Sequence, residues 1–186
     1  MTNKSTIYTR GGDSGETSLF GGNRVQKNSL RIACIGTTDE LNASLGVAVS
    51  NLKESDLIEV IEAVQNKLFE VGAELANPNK HQTKAVNTFE LGQEDVLNIE
   101  KTIDNLDGEL PELKNFVLPS GSIAATQLHL SRAVCRRLER LLVKLSKQEE
   151  VNPILIKYIN RLSDLLFILA RVANKRSSTI EKLWKK

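Results

Sequence analysis

The chain has 186 residues, 26% of them charged, with 25 Lys and Arg against 23 Asp and Glu and a formal net charge of +2. That length suits one domain able to bury its own core, and the near balance of charge excludes a general mandate for nucleic acid, which needs a concentrated basic excess. Cys34 and Cys135 stand without ligand-like neighbours and read as reduced thiols. No signal-peptide core or membrane-length apolar run is present, so a soluble cytoplasmic protein with no membrane partner is expected.

In chain order, the first element is a glycine-rich loop. Tyr8-Thr9-Arg10-Gly11-Gly12-Asp13-Ser14-Gly15-Glu16-Thr17-Ser18 sets glycines among basic and hydroxyl side chains, so backbone N–H groups can close on an anion. It lacks the Gly-Lys-Ser/Thr ending and the preceding buried strand of a P-loop. A simple turn and a polyphosphate cradle both remain open, and Lys27 downstream is either added positive charge or a solvated surface lysine.

Helices follow. Thr37-Thr38-Asp39-Glu40 has the form of a capping box and predicts a helix carrying Leu41, Leu45, Ala48 and Leu52. Leu57, Ile61, Val64, Leu68, Val71 and Leu75 alternate steps of four and three, the seam of a bundle helix, with Ser55 as its N-cap and Asn77-Pro78 as its stop. Residues 77–90 read as a polar surface loop, after which Val96, Ile99, Ile103 and Leu106 mark a shorter helix. The stretch from Asp107 to Gly121 carries Phe116-Val117-Leu118 before Pro119-Ser120-Gly121, a hydrophobic knob on a loop. A long helix spans Ile123 to Leu145 with Leu130, Val134, Leu138, Leu141 and Leu145 on its stripe. A last one, opened by Asn152-Pro153, carries Leu155, Ile159, Leu162, Leu166, Leu169 and Ala173. The fold class is therefore all-α: a five-helix bundle over 37–175, with an N-terminal loop over 1–30 and a polar tail over 176–186 expected to fray apart from Leu183 and Trp184.

Charge on the helices supplies the candidate chemistry. At one hundred degrees per residue, His129, Arg132, Arg136, Glu139 and Arg140 fall on one face of the fourth helix, opposite its leucines. Like charges four apart on an exposed helix repel by roughly 0.2–0.5 kcal/mol per pair, which calls for anions nearby. A solvated face relieved by Glu139 remains the other reading, though guanidinium suits bidentate phosphate recognition. Asn160, Asp164 and Arg171 share a face of the last helix, opposite its seam. Asp39, beside Ala43 and Gly46, either favours a helix N-terminus or pairs with an arginine across an interface. His81 and His129 are too few for a metal site.

Four segments in register resemble one family. Tyr8 to Gly15, Gly36-Thr37-Thr38-Asp39-Glu40-Leu41-Asn42, Arg132-Ala133-Val134-Cys135-Arg136-Arg137-Leu138-Glu139-Arg140 and Tyr158-Ile159-Asn160-Arg161-Leu162-Ser163-Asp164 are similar in order and spacing to the motifs of the PduO-type ATP:cob(I)alamin adenosyltransferases, over roughly residues 7 to 175. The departures are Arg10 and Ser14, where the family commonly has lysine, and Gly11, where it has threonine or asparagine. The resemblance implies an up-and-down, ferritin-like five-helix bundle that assembles as a homotrimer, with sites between subunits. It implies that Thr9, Arg10, Gly11, Gly12, Thr17, Ser18 and Lys27 wrap ATP with its Mg²⁺, in a loop that orders on ATP, while Arg136, Arg137, Glu139, Arg140 and Asn160 of the adjoining subunit complete the site. Asp39 and Arg132 match an intersubunit salt bridge near the corrinoid. Phe116 matches an apolar residue beneath the corrin ring, occluding the lower axial position of cobalt so that four-coordinate Co(II) becomes reducible.

The implied reaction is transfer of the 5′-deoxyadenosyl group of ATP to cob(I)alamin, giving adenosylcobalamin and triphosphate, with Arg136, Phe116, Asp39 and Arg132 in catalytic roles. Handover of the product to an adenosylcobalamin-dependent enzyme is implied as well. Because Co(I) is itself the nucleophile, no activated Ser, Cys or Lys is required, and no triad stands out in the chain. The alternative from a different class is an ATP-binding regulatory bundle without catalysis.

Overall fold

Helix α5 (Pro153–Arg176) is buried almost all round between Leu162 and Asn174, which makes it the axis of the molecule. In the computed structural model, which describes residues 7–8, 10–78 and 89–185, it packs against α4 (Ile123–Leu145) and α3 (Gln93–Asp107). Helix α1 (Leu30–Val49) lies on α4, and α2 (Ser55–Ala76) lies on α1. The helices alternate in direction, an up-and-down bundle among the described residues. Both heptad seams face the core: Leu57, Ile61, Leu68 and Val71 on α2, and Ile159, Leu162, Leu166 and Leu169 on α5, are all essentially inaccessible. Ser122 caps α4 by accepting from the Ala125 N–H at 3.2 Å, and Asn152 caps α5 by accepting from Ile154 at 3.0 Å with Pro153 in the first turn.

The N-cap of α2 is Glu54, one residue before the Ser55 expected, and makes no side-chain cap bond, and three larger features depart from the sequence reading. First, α1 begins at Leu30, not at Thr37. The threonines taken for a cap lie inside the helix, where the Thr37 hydroxyl donates to the Ala33 carbonyl at 2.7 Å and Thr38 to Cys34 at 2.9 Å. Back-bonding of this kind satisfies a hydroxyl without ending a helix. Leu52 falls beyond α1, though it packs on the core.

Second, the N-terminal loop contains a small antiparallel hairpin, β1 (Glu16–Ser18) with β2 (Arg24–Gln26), in which Thr17 faces Val25. The Phe20 N–H donates to the Ala76 carbonyl at 2.9 Å, fixing the hairpin at the end of the bundle where α2 stops. Third, the tail after Arg176, expected to fray apart from Leu183 and Trp184, pairs with the loop before α4. Leu118 N–H donates to the Lys182 carbonyl and Trp184 N–H to Phe116, both at 2.8 Å, with Val117 bridged to Leu183.

That loop is anchored to α5 by Asn174, which is fully buried. Its Oδ1 accepts from Ser122 N–H at 2.9 Å, and its Nδ2 donates to the Ser120 carbonyl at 3.0 Å. Gly121 between them has φ +125°, and a Cβ there would lie 2.0 Å from Asn174 Oδ1. Gly121→Ala should therefore break a buried amide network and strain the backbone, lowering stability by about 3 kcal/mol or more in a denaturant titration.

At the same end, Arg176 joins three elements. It meets Asp56 at 2.7 Å and Glu109 at 2.6 Å, and these hydrogen bonds hold both carboxyls below their ordinary values of 3.8 and 4.5. A carboxylate with a depressed folded pKa contributes stability above its unfolded pKa and loses it as pH falls through the folded one. Arg176→Ala should cost about 1 kcal/mol at neutral pH, the pairs being partly solvent-screened. The difference in thermal midpoint from the parent should shrink as pH drops below the ordinary carboxylate range.

Candidate active site

On α4 the arginine row is exposed: Arg136, Arg137 and Arg140 all face solvent. Arg140 Nη1 donates to the Arg136 carbonyl at 2.9 Å, whereas Arg137 is committed to an ion pair with Glu40 of α1. Beside them, Asn160 Nδ2 donates to Glu139 Oε1 at 2.8 Å, tying α5 to the same patch. The Arg136 guanidinium has no ion pair among the described residues. A helix row of like charge with open donors is a ready anion surface.

Asp39 is exposed on α1 and makes no ion pair among the described residues. Arg132, half-buried on α4, makes none there either, and its Nε is buried without a hydrogen-bond partner. Burial of an unpaired guanidinium N–H costs about 1–3 kcal/mol unless a partner arrives. The two charges expected to pair are thus both open within one chain.

His129 and Leu130 exchange the places assigned to them. His129 is 3% exposed, its ring 6.1 Å from Phe167 of α5, while Leu130 is 55% exposed. Helix α4 has neighbours on two sides, α1 and α5, so its buried arc is wider than one stripe and takes in His129. Burial, then the nearby Arg132 charge, lowers the His129 pKa below its ordinary 6.5, so the imidazole is a neutral core group and not part of the arginine face. Arg171, expected on an outward polar face of α5, is also buried; it pairs with Glu181 at 3.2 Å and donates to the Pro111 carbonyl at 3.1 Å. Asp164 is exposed, as read.

In the hairpin region, a Cβ added to Gly12 would come within 2.9 Å of Lys27 Nζ, so the ammonium rests against the bare glycine backbone. Lys27 N–H donates to the Gly15 carbonyl at 2.8 Å, and Arg10 holds a left-handed φ of 59° with its guanidinium 5.8 Å from the Tyr8 ring. Arg24, which the sequence reading passed over, braces this turn by donating to the Gly11 carbonyl at 2.6 Å and lying 3.6 Å from Glu16. Its signal was only a basic residue at the far side of a glycine pair. Thr17 and Ser18 lie on β1 close to this turn; Thr9 and His81 lie outside the described residues.

Phe116 stands at the other end of the bundle. It is 76% exposed, with Leu113, Leu183 and Trp184 around a cleft of about 710 Å³. The hairpin is bonded to the end of α2 at Ala76, and Arg176, next to the Phe116 loop, to its start at Asp56. The 22 residues of α2 span about 33 Å. One chain therefore assembles the α4 arginine patch, the Gly12–Lys27 turn and the Phe116 knob as three separate groups.

Among the described residues, neither cysteine is an activated nucleophile. Burial pushes the Cys34 thiol up to about 11 and raises Cys135 further, so both thiols are silent. Among the described residues, no cluster of three His, Cys, Asp or Glu side chains could hold a metal, and no helix is long and apolar enough to cross a membrane. The bundle thus presents exposed cations on α4, a lysine against a bare glycine turn and an apolar knob at Phe116, while both of its thiols are masked.

The chain belongs to the cobalamin adenosyltransferase family, whose family model matches residues 7–173. It is 43% identical over 186 residues to the cobalamin adenosyltransferase of Cupriavidus metallidurans, covering 98% of this chain and 95% of that one. Identity to the corrinoid adenosyltransferase of Bacillus subtilis is 42%, over 92% of this chain and 88% of the relative. Among solved structures, a phenylalanine-to-alanine variant of the PduO-type ATP:corrinoid adenosyltransferase from Lactobacillus reuteri, complexed with cobalamin and ATP, superposes with a TM-score of 0.89. Its sequence identity is 34%, covering 97% of this chain and 99% of that chain.

Proposed function

We propose that this protein transfers the 5′-deoxyadenosyl group of ATP to cob(I)alamin, forming the cobalt–carbon bond as the C5′–oxygen bond of ATP breaks and triphosphate leaves. The observation that carries the reading is the exposed Arg136–Arg140 row beside the Glu139–Asn160 pair, on the fold of this family. Cob(I)alamin brings the nucleophile, so the residues need only hold the reacting atoms in line and receive the charge that develops on triphosphate. Arg136 and Arg140 are suited to that charge, with Lys27, Arg10, Gly11, Gly12, Thr17, Ser18 and Thr9 cradling the phosphates; Arg137, Glu139 and Asn160 frame the nucleotide. The Mg²⁺ that accompanies ATP fits a chain without a carboxylate cage among the described residues, since this ion keeps waters and binds largely through substrate phosphates.

The active unit in this reading is a homotrimer with sites between subunits. Supporting it are the distance between the hairpin and Phe116 within one chain, and the open charges of Asp39 and Arg132, which would meet across an interface. The work is assigned to the cytoplasm, with the product passing to an adenosylcobalamin-dependent enzyme. Incubation with ATP, Mg²⁺ and chemically reduced cobalamin should yield adenosylcobalamin and free triphosphate in equal amounts. Saturable ATP binding with no triphosphate released would instead make the protein a nucleotide sensor.

A further inference from the structure

Residues 177–185 lie beyond the stretch that the family model matches, yet they are tied to the Phe116 loop in three ways. The backbone bonds from Leu118 to Lys182 and from Trp184 to Phe116 make a short two-stranded strap. The Trp184 ring meets Phe116 edge to face, with centroids 6.3 Å apart and planes at 68°. The third tie is charge. Arg171 Nε donates to the Glu181 carboxylate at 3.2 Å, while Arg171 Nη2 donates to the Pro111 carbonyl at 3.1 Å.

Arg171 is the rigid member of this set. Its side chain is 4% exposed, it stands on the central helix, and its guanidinium lies 5.9 Å from the Phe167 ring. A single buried cation therefore grips the loop through Pro111 and the strap through Glu181. From Ile180 to Lys185, Glu181 alone is not exposed. Apolar burial is accordingly a thin attachment for this segment, and the ion pair must supply much of it, because an uncompensated buried guanidinium is costly.

We propose that Arg171 and Glu181 form a latch holding the C-terminal strap on the 110–118 loop, and that Trp184 is a positioning residue fixing the direction of the Phe116 ring. The inference rests on the reading of Phe116 as the residue beneath the corrin. A mostly exposed ring on a loop has several rotamers open to it, and a ring that must keep a ligand off cobalt has to be held in one. The strap supplies that constraint from a part of the chain remote in sequence.

Trp184 is the only tryptophan in the chain, so its fluorescence reports the strap directly. In the full-length protein, Glu181→Ala should move the emission to longer wavelength and increase quenching by acrylamide, with the helical circular dichroism retained. In the same variant, with cob(II)alamin and ATP bound, the four-coordinate Co(II) signal in the electron paramagnetic resonance spectrum should fall while ATP affinity holds. Glu181→Gln, which keeps an acceptor for Arg171, should restore both in part, and Trp184→Leu, which removes the fluorophore, should lower the Co(II) signal while ATP affinity holds. Unchanged emission and quenching in Glu181→Ala would overturn the latch. Altered emission with a full four-coordinate signal would overturn the positioning role of Trp184. Phe116→Ala runs beside them: if it keeps the four-coordinate signal, the reading of Phe116 has failed and the positioning role with it, while Trp184 emission still decides the latch.

Discussion

Arg136→Ala will lower adenosyl transfer by about 10²–10³-fold, equivalent to about 3–4 kcal/mol of barrier, the loss seen when a charge-stabilising donor is removed from a site. The reason is positional. Arg136 is exposed on α4, and among the described residues the one side-chain hydrogen bond that reaches it, from Arg140, ends on its backbone carbonyl, which alanine retains. Its guanidinium is therefore open to the triphosphate of the proposed reaction, and truncation of an exposed helix residue costs the fold only within about 0.5 kcal/mol. Thermal midpoint and helical content should match the parent while turnover collapses. Arg136→Lys keeps charge but loses the planar fork and should fall between the two. Near-normal turnover in Arg136→Ala would remove this residue from the mechanism. Arg137→Ala gives the contrast, since Arg137 is paired with Glu40: its loss should touch stability as well as nucleotide affinity.

Much of the bundle was legible because its information is local. The four-three spacing of Leu57 to Leu75 and of Leu155 to Ala173, bounded by Asn77-Pro78 and Asn152-Pro153, specifies buried helical faces and their ends, and the structure keeps them. What escaped depends on neighbours. Thr37 and Thr38 carry the chemistry of a cap, but their hydroxyls find carbonyls one turn back inside α1. A single-helix wheel placed His129 outside and Leu130 inside, because it allows one buried stripe where α4 has two partners. Arg171 read as a surface cation for the same reason: its counter-ion, Glu181, comes from a segment that no helical periodicity links to it. The three-residue strands of the hairpin are too short to show alternation. The candidate site followed the same division. The arginine row was visible as spacing on one helix, whereas Arg24 and the Trp184 contact exist only through pairing of distant backbone.

Phe116→Ala should separate the two halves of the proposed reaction. The ring is 76% exposed, and its one aromatic contact is the edge-to-face pair with Trp184, worth about 0.5–1.5 kcal/mol, so the variant should remain folded. Phe116 is assigned to the corrinoid and not to the nucleotide, whose groups are the Gly12–Lys27 turn and the Arg136–Arg140 row, so ATP affinity measured by calorimetry should be unaltered. The effect should fall on cobalt instead. In the proposed reading, removing the ring would let water reach the lower axial position, so that Co(II) would stay five-coordinate and be harder to reduce. Turnover started from cob(II)alamin with an added one-electron reductant such as reduced flavin should drop by more than about tenfold, equivalent to more than about 1.4 kcal/mol. Turnover started from chemically prepared cob(I)alamin should drop less, because the nucleophile is then supplied already reduced. An equal loss from both starting states would mean that Phe116 serves binding of the corrinoid and not its reduction. The ratio of the two rates, with ATP affinity as the control, is the measurement that decides what this ring does.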